Sequence, residues 1–124
     1  MDRTFFLLGA VLGFLGVAFG AFGAHGLKNR LSPELLAVFE TGVRYQMYHV
    51  FALLIVAAAI GHIGSARLLV ISGWSFFAGI LLFSGSLYAL ALTGVGMLGA
   101  VTPIGGVLFL IGWVSLAVFA LARG

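Results

Sequence analysis

The sequence has no cysteine and very little charge, and both deficits narrow the kinds of protein it can encode. Without cysteine there is no disulfide, no thiol redox centre and no thiolate metal site. Charged residues make up 7% of the 124 residues, whereas a soluble domain carries about 25%. Six Lys and Arg with three Asp and Glu are too few to cover a water-exposed surface of this size. The main solvent of the chain must therefore be a lipid bilayer.

Hydrophobic residues make up 63% of the chain and occur in long continuous runs. Strands of a membrane β-barrel would alternate apolar and polar residues, so the runs predict helices. At about 20 residues per span, the sequence predicts an all-α integral membrane protein whose single domain, residues 1–124, is an antiparallel bundle of four transmembrane helices. The first run exceeds the 7–15 residues typical of a signal peptide, so we expect a retained helix. The predicted spans cover about residues 4–24, 44–63, 68–92 and 103–122.

Glycines form the most regular pattern of the first span. They are spaced by four, three, four and three residues, which places all of them on one helix face: Gly9, Gly13, Gly16, Gly20 and Gly23. A face without side chains lets a partner helix approach closely and gain van der Waals contact. The pattern therefore predicts a helix-packing seam, and the alternative is a smooth groove for a lipid or other ligand.

The second helix has a clear start and is too long for its span. Ser32 suits the N-cap and Pro33 the first helical position. A helix from there to Gly61 would be about 43 Å long at 1.5 Å per residue, more than the hydrocarbon core of about 30 Å. Counting back along the span places the membrane boundary near Arg44. We therefore expect an interfacial amphipathic segment between the first two spans, either continuous with the second or broken from it at Gly42.

Several polar residues fall where polarity is costly, and these are the default candidates for function in a membrane protein. In an antiparallel bundle they share the outer half of the membrane. Glu40 and Arg44 have the spacing of an ion pair. We expect the pair to hold His49 about 7 Å inside the boundary, where it faces the bundle interior near His25, Tyr88 and Thr102. The complete candidate site is His25, Glu40, Arg44, Tyr45, Gln46, Tyr48, His49, Ser84, Ser86, Tyr88 and Thr102.

Two interpretations of this polar group remain open at the sequence level. In the first, His49 binds a ligand or relays a proton, because imidazole titrates near neutral pH. In the second, the group is structural: an interfacial ion pair, an aromatic belt and hydroxyls bonded to neighbouring helices. Neither interpretation includes a catalytic residue, a metal site or a cofactor, because no nucleophile–base pair and no diagnostic ligand spacing is present.

The basic residues are scattered one or two per loop, which indicates membrane orientation and not nucleic-acid binding. With the N-terminus inside, Arg3, Arg67 and Arg123 are cytoplasmic, while Lys28 and Arg30 are outside. The Lys and Arg bias therefore predicts that both termini are cytoplasmic.

Four ordered blocks carry a family resemblance that covers essentially the whole chain. They are residues 20–26 (GAFGAHG), 40–49 (ETGVRYQMYH), 83–88 (FSGSLY) and 101–106 (VTPIGG). The chain resembles the bacterial membrane family catalogued as domain of unknown function 423, which has a eukaryotic relative called transmembrane protein 256. The resemblance implies a four-span protein of the bacterial inner membrane. It implies no activity, so no functional residue is carried over from it.

Three classes of function are therefore compared. The favoured one is a multi-pass, non-enzymatic membrane protein that binds a partner, a lipid or a small solute. The alternative is a minimal transporter or channel, which must be oligomeric to enclose a pore, and the third class is a membrane enzyme. The expected partners are the lipid bilayer, a bound lipid, and a second copy of the chain or another membrane protein.

Overall fold

The computed structural model describes residues 1–123, and nearly all of this chain is helical. Four helical segments are long and apolar enough to cross a membrane, which confirms the predicted all-α membrane fold. The third span, Arg67–Thr93, is continuous but takes π-helical geometry at Ile80–Ser84. The α-helices are α1 (Asp2–His25), α2 (Pro33–Ile63), α3 (Arg67–Gly79), α4 (Gly85–Thr93) and α5 (Thr102–Arg123), and a 3-10 turn at Gly96–Ala100 precedes α5.

The ends of these helices follow local signals in the sequence. Ser32 caps α2, because its hydroxyl accepts a hydrogen bond of 3.2 Å from the Leu35 N–H, and Pro33 is the first helical residue. Gly94 ends α4 in the left-handed conformation, with φ of 72°, which a residue without a Cβ adopts readily. Short connections join consecutive spans, so consecutive spans are neighbours and run in opposite directions.

The glycine seam of α1 faces α2. A Cβ on Gly9 would lie 2.8 Å from Leu54, and a Cβ on Gly23 would lie 3.0 Å from Phe39. The remaining three glycines meet α2 in order between these ends: Gly13 at Val50, Gly16 at Met47 and Gly20 at Val43. Since rising numbers in α1 meet falling numbers in α2, the two helices are antiparallel and in close contact along the whole seam.

The third span packs on α5 by the same device. A Cβ on Gly112 would lie 2.5 Å from the Phe76 ring, and a Cβ on Gly105 would collide with the backbone of Phe83 in the π-helical segment. Backbone therefore approaches backbone at Gly105, which no larger residue would permit. This contact fixes the register of α5 against the third span.

α2 and the third span form the centre of the bundle, and α1 and α5 flank them. In the most apolar stretch of each span, 44% of α2 and 39% of the third span are buried inside the protein. The corresponding share is 22% for each of the two flanking spans. Large side chains fill the interior, and Phe5, Leu53 and Phe76 are fully buried there. The interior of one chain is thus a packed core.

The first part of α2 continues into the span without a break. The helix is regular from Pro33 to Ile63, so the alternative of a break at Gly42 is wrong. Phe39, on this first part, is 2% exposed and packs in a small cluster with Leu27 and Ala91. The apolar side of the segment is thus covered by protein, which stabilises a helix longer than the span.

Candidate functional site

Gln46 is the centre of the largest polar contact between helices. The side chain is 2% exposed, and its Nε2 donates a 2.7 Å hydrogen bond to the Leu12 carbonyl of α1. Its Oε1 accepts a 2.6 Å hydrogen bond from the Tyr88 hydroxyl of α4. The absence of a side chain at Gly16 leaves room for this contact, because a Cβ there would lie 3.4 Å from Nε2. One amide therefore connects three helices.

Serine hydroxyls make further contacts beside the π-helical segment. Ser84 donates to the Gly42 carbonyl at 2.6 Å, and Ser86 shares a 2.5 Å hydrogen bond with the Thr102 hydroxyl at the start of α5. The extra residue in a π-helical turn rotates the chain that follows it, and such turns often occur at functional sites. Here the turn directs the two neighbouring serines to two different helices.

His49 has both ring nitrogens engaged. Nδ1 lies 2.7 Å from the Tyr45 carbonyl, and Nε2 accepts a 3.1 Å hydrogen bond from the Trp113 indole N–H. A carbonyl only accepts and an indole N–H only donates, so the two partners together select the neutral tautomer with the proton on Nδ1. The ring also stacks on Phe109, with 3.5 Å between centroids and 4° between planes. His49 is thus fixed by hydrogen bonds and by stacking.

The depth and partners of His49 differ from the expectation. Trp113 lies about 15 Å from either end of α5 at 1.5 Å per residue, which is near the middle of a hydrocarbon core of about 30 Å. His49 is buried, as expected, but it contacts aromatic residues of α3 and α5 and not His25, Tyr88 or Thr102. The end of the bundle that holds His25 and Thr102, here called the His25 end, lies nearer the start of α2 than a boundary at Arg44 implies.

The charged members of the predicted site do not converge. His25, Glu40 and Arg44 are all exposed, and within residues 1–123 no ion pair joins Glu40 to Arg44. The expectation that this pair holds His49 in place is therefore wrong. The physical reason is that an exposed pair gains little Coulomb energy and must order two long side chains. His49 is instead held by Tyr45 and Trp113.

Tyr45 and Tyr48 lie at the edge of a groove between α2 and α5. They are 37% and 54% exposed, and the Tyr45 ring packs on Phe83 with 4.8 Å between centroids. The groove is open to the outside of the bundle and has a volume of about 650 Å³. This α2–α5 groove is lined by Tyr45, Tyr48, His49, Phe83, Pro103, Gly106, Val107, Phe109, Leu110 and Trp113.

Two further grooves follow the contact between α1 and α2. One lies along Gly13 and Phe51, with a volume of about 500 Å³, and it is apolar throughout. The other, of about 720 Å³, lies at the opposite end of the bundle, near Asp2 and Gly61. Neither contains a histidine or a buried polar side chain. Of these three grooves, the α2–α5 groove is distinguished by its aromatic walls; its surface is also apolar, because the His49 ring nitrogens and the Trp113 indole N–H are already hydrogen-bonded.

Sequence reasoning missed Trp113 and Phe109, and it did not include Ser72 in the candidate site. Ser72 donates a 2.5 Å hydrogen bond to the Gly112 carbonyl and so joins the third span to α5. Ser84 joins the third span to α2 by the same kind of bond. Trp113 carried a usable signal: tryptophan is enriched at membrane boundaries, and this one lies in the middle of a span. A mid-span indole needs a hydrogen-bond acceptor, which His49 provides.

The polar groups of the bundle are satisfied internally. In the part of the chain that the structure describes, no buried side-chain nitrogen or oxygen lacks a hydrogen-bond partner. Over the same residues no three His, Asp or Glu side chains are grouped so as to hold a metal ion. The arrangement therefore joins helices and shapes a groove, and it leaves the exposed side chains of α2 available for outside contacts.

Comparisons with known proteins match this chain over almost its whole length. It is 46% identical to the UPF0382 membrane protein YwdK of Bacillus subtilis over 118 residues, covering 95% of this chain and 96% of the relative. A UPF0382 membrane protein of Staphylococcus saprophyticus is 49% identical over 118 residues, covering 94% and 95%. One from Haemophilus influenzae is 48% identical over 117 residues, covering 94% and 93%. No solved structure matches.

The profile of one protein family matches residues 19–106, which include the polar residues of α2, the π-helical segment and the start of α5. The family is described as a protein of unknown function, DUF423. With the match over most of the chain and the membrane relatives above, this chain is a multi-pass membrane protein that belongs to the DUF423 family.

Proposed function

We propose that this chain is a non-enzymatic membrane protein that binds a lipid by holding its apolar chain in the α2–α5 groove. The observation that carries the proposal is the groove itself: an aromatic-lined cleft open to the bilayer, with the hydrogen-bonded His49 and Trp113 at mid-depth. Ligand sites are typically concave and largely apolar, and the surface of this groove is almost wholly apolar, which suits the apolar chain of a lipid. A ligand dissolved in the membrane reaches this cleft without crossing water.

The contrast between groove and interior supports binding at the side of the bundle. Phe5, Leu53 and Phe76 fill the core, so a pore would have to form between copies of the chain. The hydroxyls of Ser84 and Ser86 are bonded to neighbouring helices, so neither is paired with a general base of the kind that activates a serine nucleophile. The proposal accordingly involves no cofactor and no nucleic acid, and its main partner is the lipid of the bilayer.

We further infer a location in the bacterial inner membrane with both termini in the cytoplasm. Four antiparallel spans return the chain to the side on which it began. Arg3, Arg67 and Arg123 then share the cytoplasmic side, as the positive-inside rule favours, and the His25 end faces outward.

Gly106 offers a direct test of the groove. This residue lines the groove, and a Cβ there meets nothing closer than 3.9 Å, namely the Phe83 ring. Gly106→Leu should therefore fill the groove without disturbing helix packing. Gly85→Leu is the matched control, because it adds the same side chain to a helical position outside the groove with no atom within 4 Å of its Cβ.

The measurement is the amount of lipid that the purified protein retains. Each variant is reconstituted in vesicles, extracted into mild detergent, and its bound lipid is quantified by mass spectrometry. We expect Gly106→Leu to retain severalfold less lipid than the wild type, and Gly85→Leu to retain the same amount. Equal retention by Gly106→Leu and the wild type would contradict binding in this groove. Solute flux into the same vesicles would support the transporter alternative instead.

A further inference from the structure

Three exposed side chains form a row on α2. Glu40, Arg44 and Tyr48 follow one another at intervals of four residues, which places them on one helix face with about 6 Å between successive positions along the axis. All three are exposed, and no ion pair joins Glu40 to Arg44 in the part of the chain that the structure describes. Two opposite charges are thus presented side by side to the same surroundings.

The row is continuous with the α2–α5 groove. Tyr48 lines the groove, and Arg44 and Glu40 follow toward the His25 end. We take the start of α5 as the membrane boundary at this end. Thr102 bonds Ser86, and the neighbouring Leu87 lies against Gly42, so Gly42 is near the level of this boundary. Arg44 is then about 3 Å inside the boundary and Glu40 about 3 Å outside it.

The order of groups along this face matches one class of lipid. From the middle of the bilayer outward, an amine-bearing phospholipid presents its acyl chain, then a phosphate, then an ammonium. Over the same direction the protein presents the apolar groove, the Tyr48 hydroxyl, the Arg44 guanidinium and the Glu40 carboxylate. Arginine is suited to phosphate because its planar fork donates paired hydrogen bonds, and a carboxylate complements the ammonium.

We propose that the ligand of the α2–α5 groove is an amine-bearing phospholipid, with its phosphate at Arg44 and its ammonium at Glu40. The inference rests on the proposed lipid-binding function and adds the chemistry of the headgroup. Glu40 is the residue that sets the preference, because Arg44 attracts the phosphate of any phospholipid. A headgroup without an amine would leave the Glu40 carboxylate without a cation.

The test is competition between two lipids. The protein is reconstituted in vesicles of equimolar phosphatidylethanolamine and phosphatidylglycerol, extracted, and the ratio of the retained lipids is measured by mass spectrometry. We expect about fivefold enrichment of phosphatidylethanolamine, the scale of one exposed ion pair. Glu40→Gln should bring the ratio close to one, and Glu40→Lys should favour phosphatidylglycerol. Arg44→Gln should lower the retained amount of both lipids.

Glu34→Gln is the matched control for Glu40. It removes the same charge from the same end of α2 at a position outside the row, so it should keep the wild-type ratio. A wild-type ratio near one, a ratio unchanged in both Glu40 variants, or an equal loss in Glu34→Gln would overturn the headgroup assignment. These outcomes are separate from failure of the groove itself, which would appear as undiminished total lipid in Gly106→Leu. Unfolding midpoints in detergent identify any variant that is not folded. If one of the two Glu40 variants is unfolded, the lipid ratio of the other still tests the headgroup assignment.

Discussion

Replacing Gln46 by methionine should reveal how much the central polar contact stabilises the bundle. Methionine has nearly the same length and volume, so the change removes hydrogen bonds with little effect on packing. Two interhelical bonds are lost, to the Leu12 carbonyl at 2.7 Å and from the Tyr88 hydroxyl at 2.6 Å. The Tyr88 hydroxyl is then left without its acceptor among apolar side chains.

The magnitude follows from these losses. Each interhelical hydrogen bond in a membrane protein contributes about 0.6–2 kcal/mol, and an unpaired buried hydroxyl costs about 1–3 kcal/mol. Gln46→Met should therefore lower the free energy of unfolding by about 3 kcal/mol. Tyr88→Phe should cost about 2 kcal/mol, because it removes one bond and leaves the buried Gln46 Oε1 without its donor. In the double variant neither the unpaired hydroxyl nor the unpaired Oε1 remains, so the combined loss should be smaller than the sum by about 2 kcal/mol.

Reversible unfolding of the two single variants, the double variant and the wild type in mixed micelles measures these four free energies. Ser86→Ala is a suitable control for Tyr88→Phe, since it removes a hydroxyl of the same helix that bonds elsewhere, and it should be additive with Gln46→Met. Additive losses for Gln46→Met and Tyr88→Phe would refute the reasoning, because the two side chains would then not share a bond.

Three further predictions test other parts of the structure. Gly105→Ala should lower the free energy of unfolding by about 2 kcal/mol or more, because the added Cβ meets the Phe83 backbone. The adjacent Gly106→Ala should change the free energy of unfolding by less than about 0.5 kcal/mol. Equal effects of the two substitutions would contradict the close approach of the backbones at Gly105. Nitrogen-15 NMR should find His49 neutral with its proton on Nδ1, and a protonated Nε2 would exclude the bond from Trp113. Paired reporters fused after Arg123, one active only inside and one only outside the cytoplasm, should report a cytoplasmic C-terminus, and an external signal would reverse the proposed orientation.

The fold was predictable because its signals are local. Continuous apolar runs of the right length specify helices in lipid, where every backbone polar group must be bonded within the chain. Ser32 with Pro33 marked the start of α2 correctly, and the spacing of glycines in α1 identified the face that meets α2. Each of these inferences needs only one segment and its surroundings.

The arrangement of the polar residues was less predictable because it depends on register between helices. Arg44 suggested a boundary, but the pairing of Gly23 with Phe39 shows that α2 remains beside α1 for more than a turn beyond it. His49 consequently lies deeper than the count implied and beside Trp113. Nothing in either segment alone specifies that Trp113 and His49 share a level. The π-helical turn, which shifts the register of α4, has no sequence signal that we recognised.

The small residues and the polar residues of this bundle act together. Three buried side chains, Gln46, Ser72 and Ser84, donate to backbone carbonyls of another helix, and two of those carbonyls belong to glycines, Gly42 and Gly112. A short serine side chain reaches a carbonyl on the next helix only where the backbones are close, which glycine permits.

Hydrogen bonds between helices distinguish the polar residues that the fold requires from those that it does not require. Buried Gln46, Ser72 and Ser84 are paired with other helices, so their polarity is accounted for by the fold. Glu40 and Arg44 have no such partners in the described residues, so the fold does not account for the presence of two opposite charges on this exposed face of α2. A ligand or partner outside the chain would explain it, which is why the search for function should begin on this face of α2.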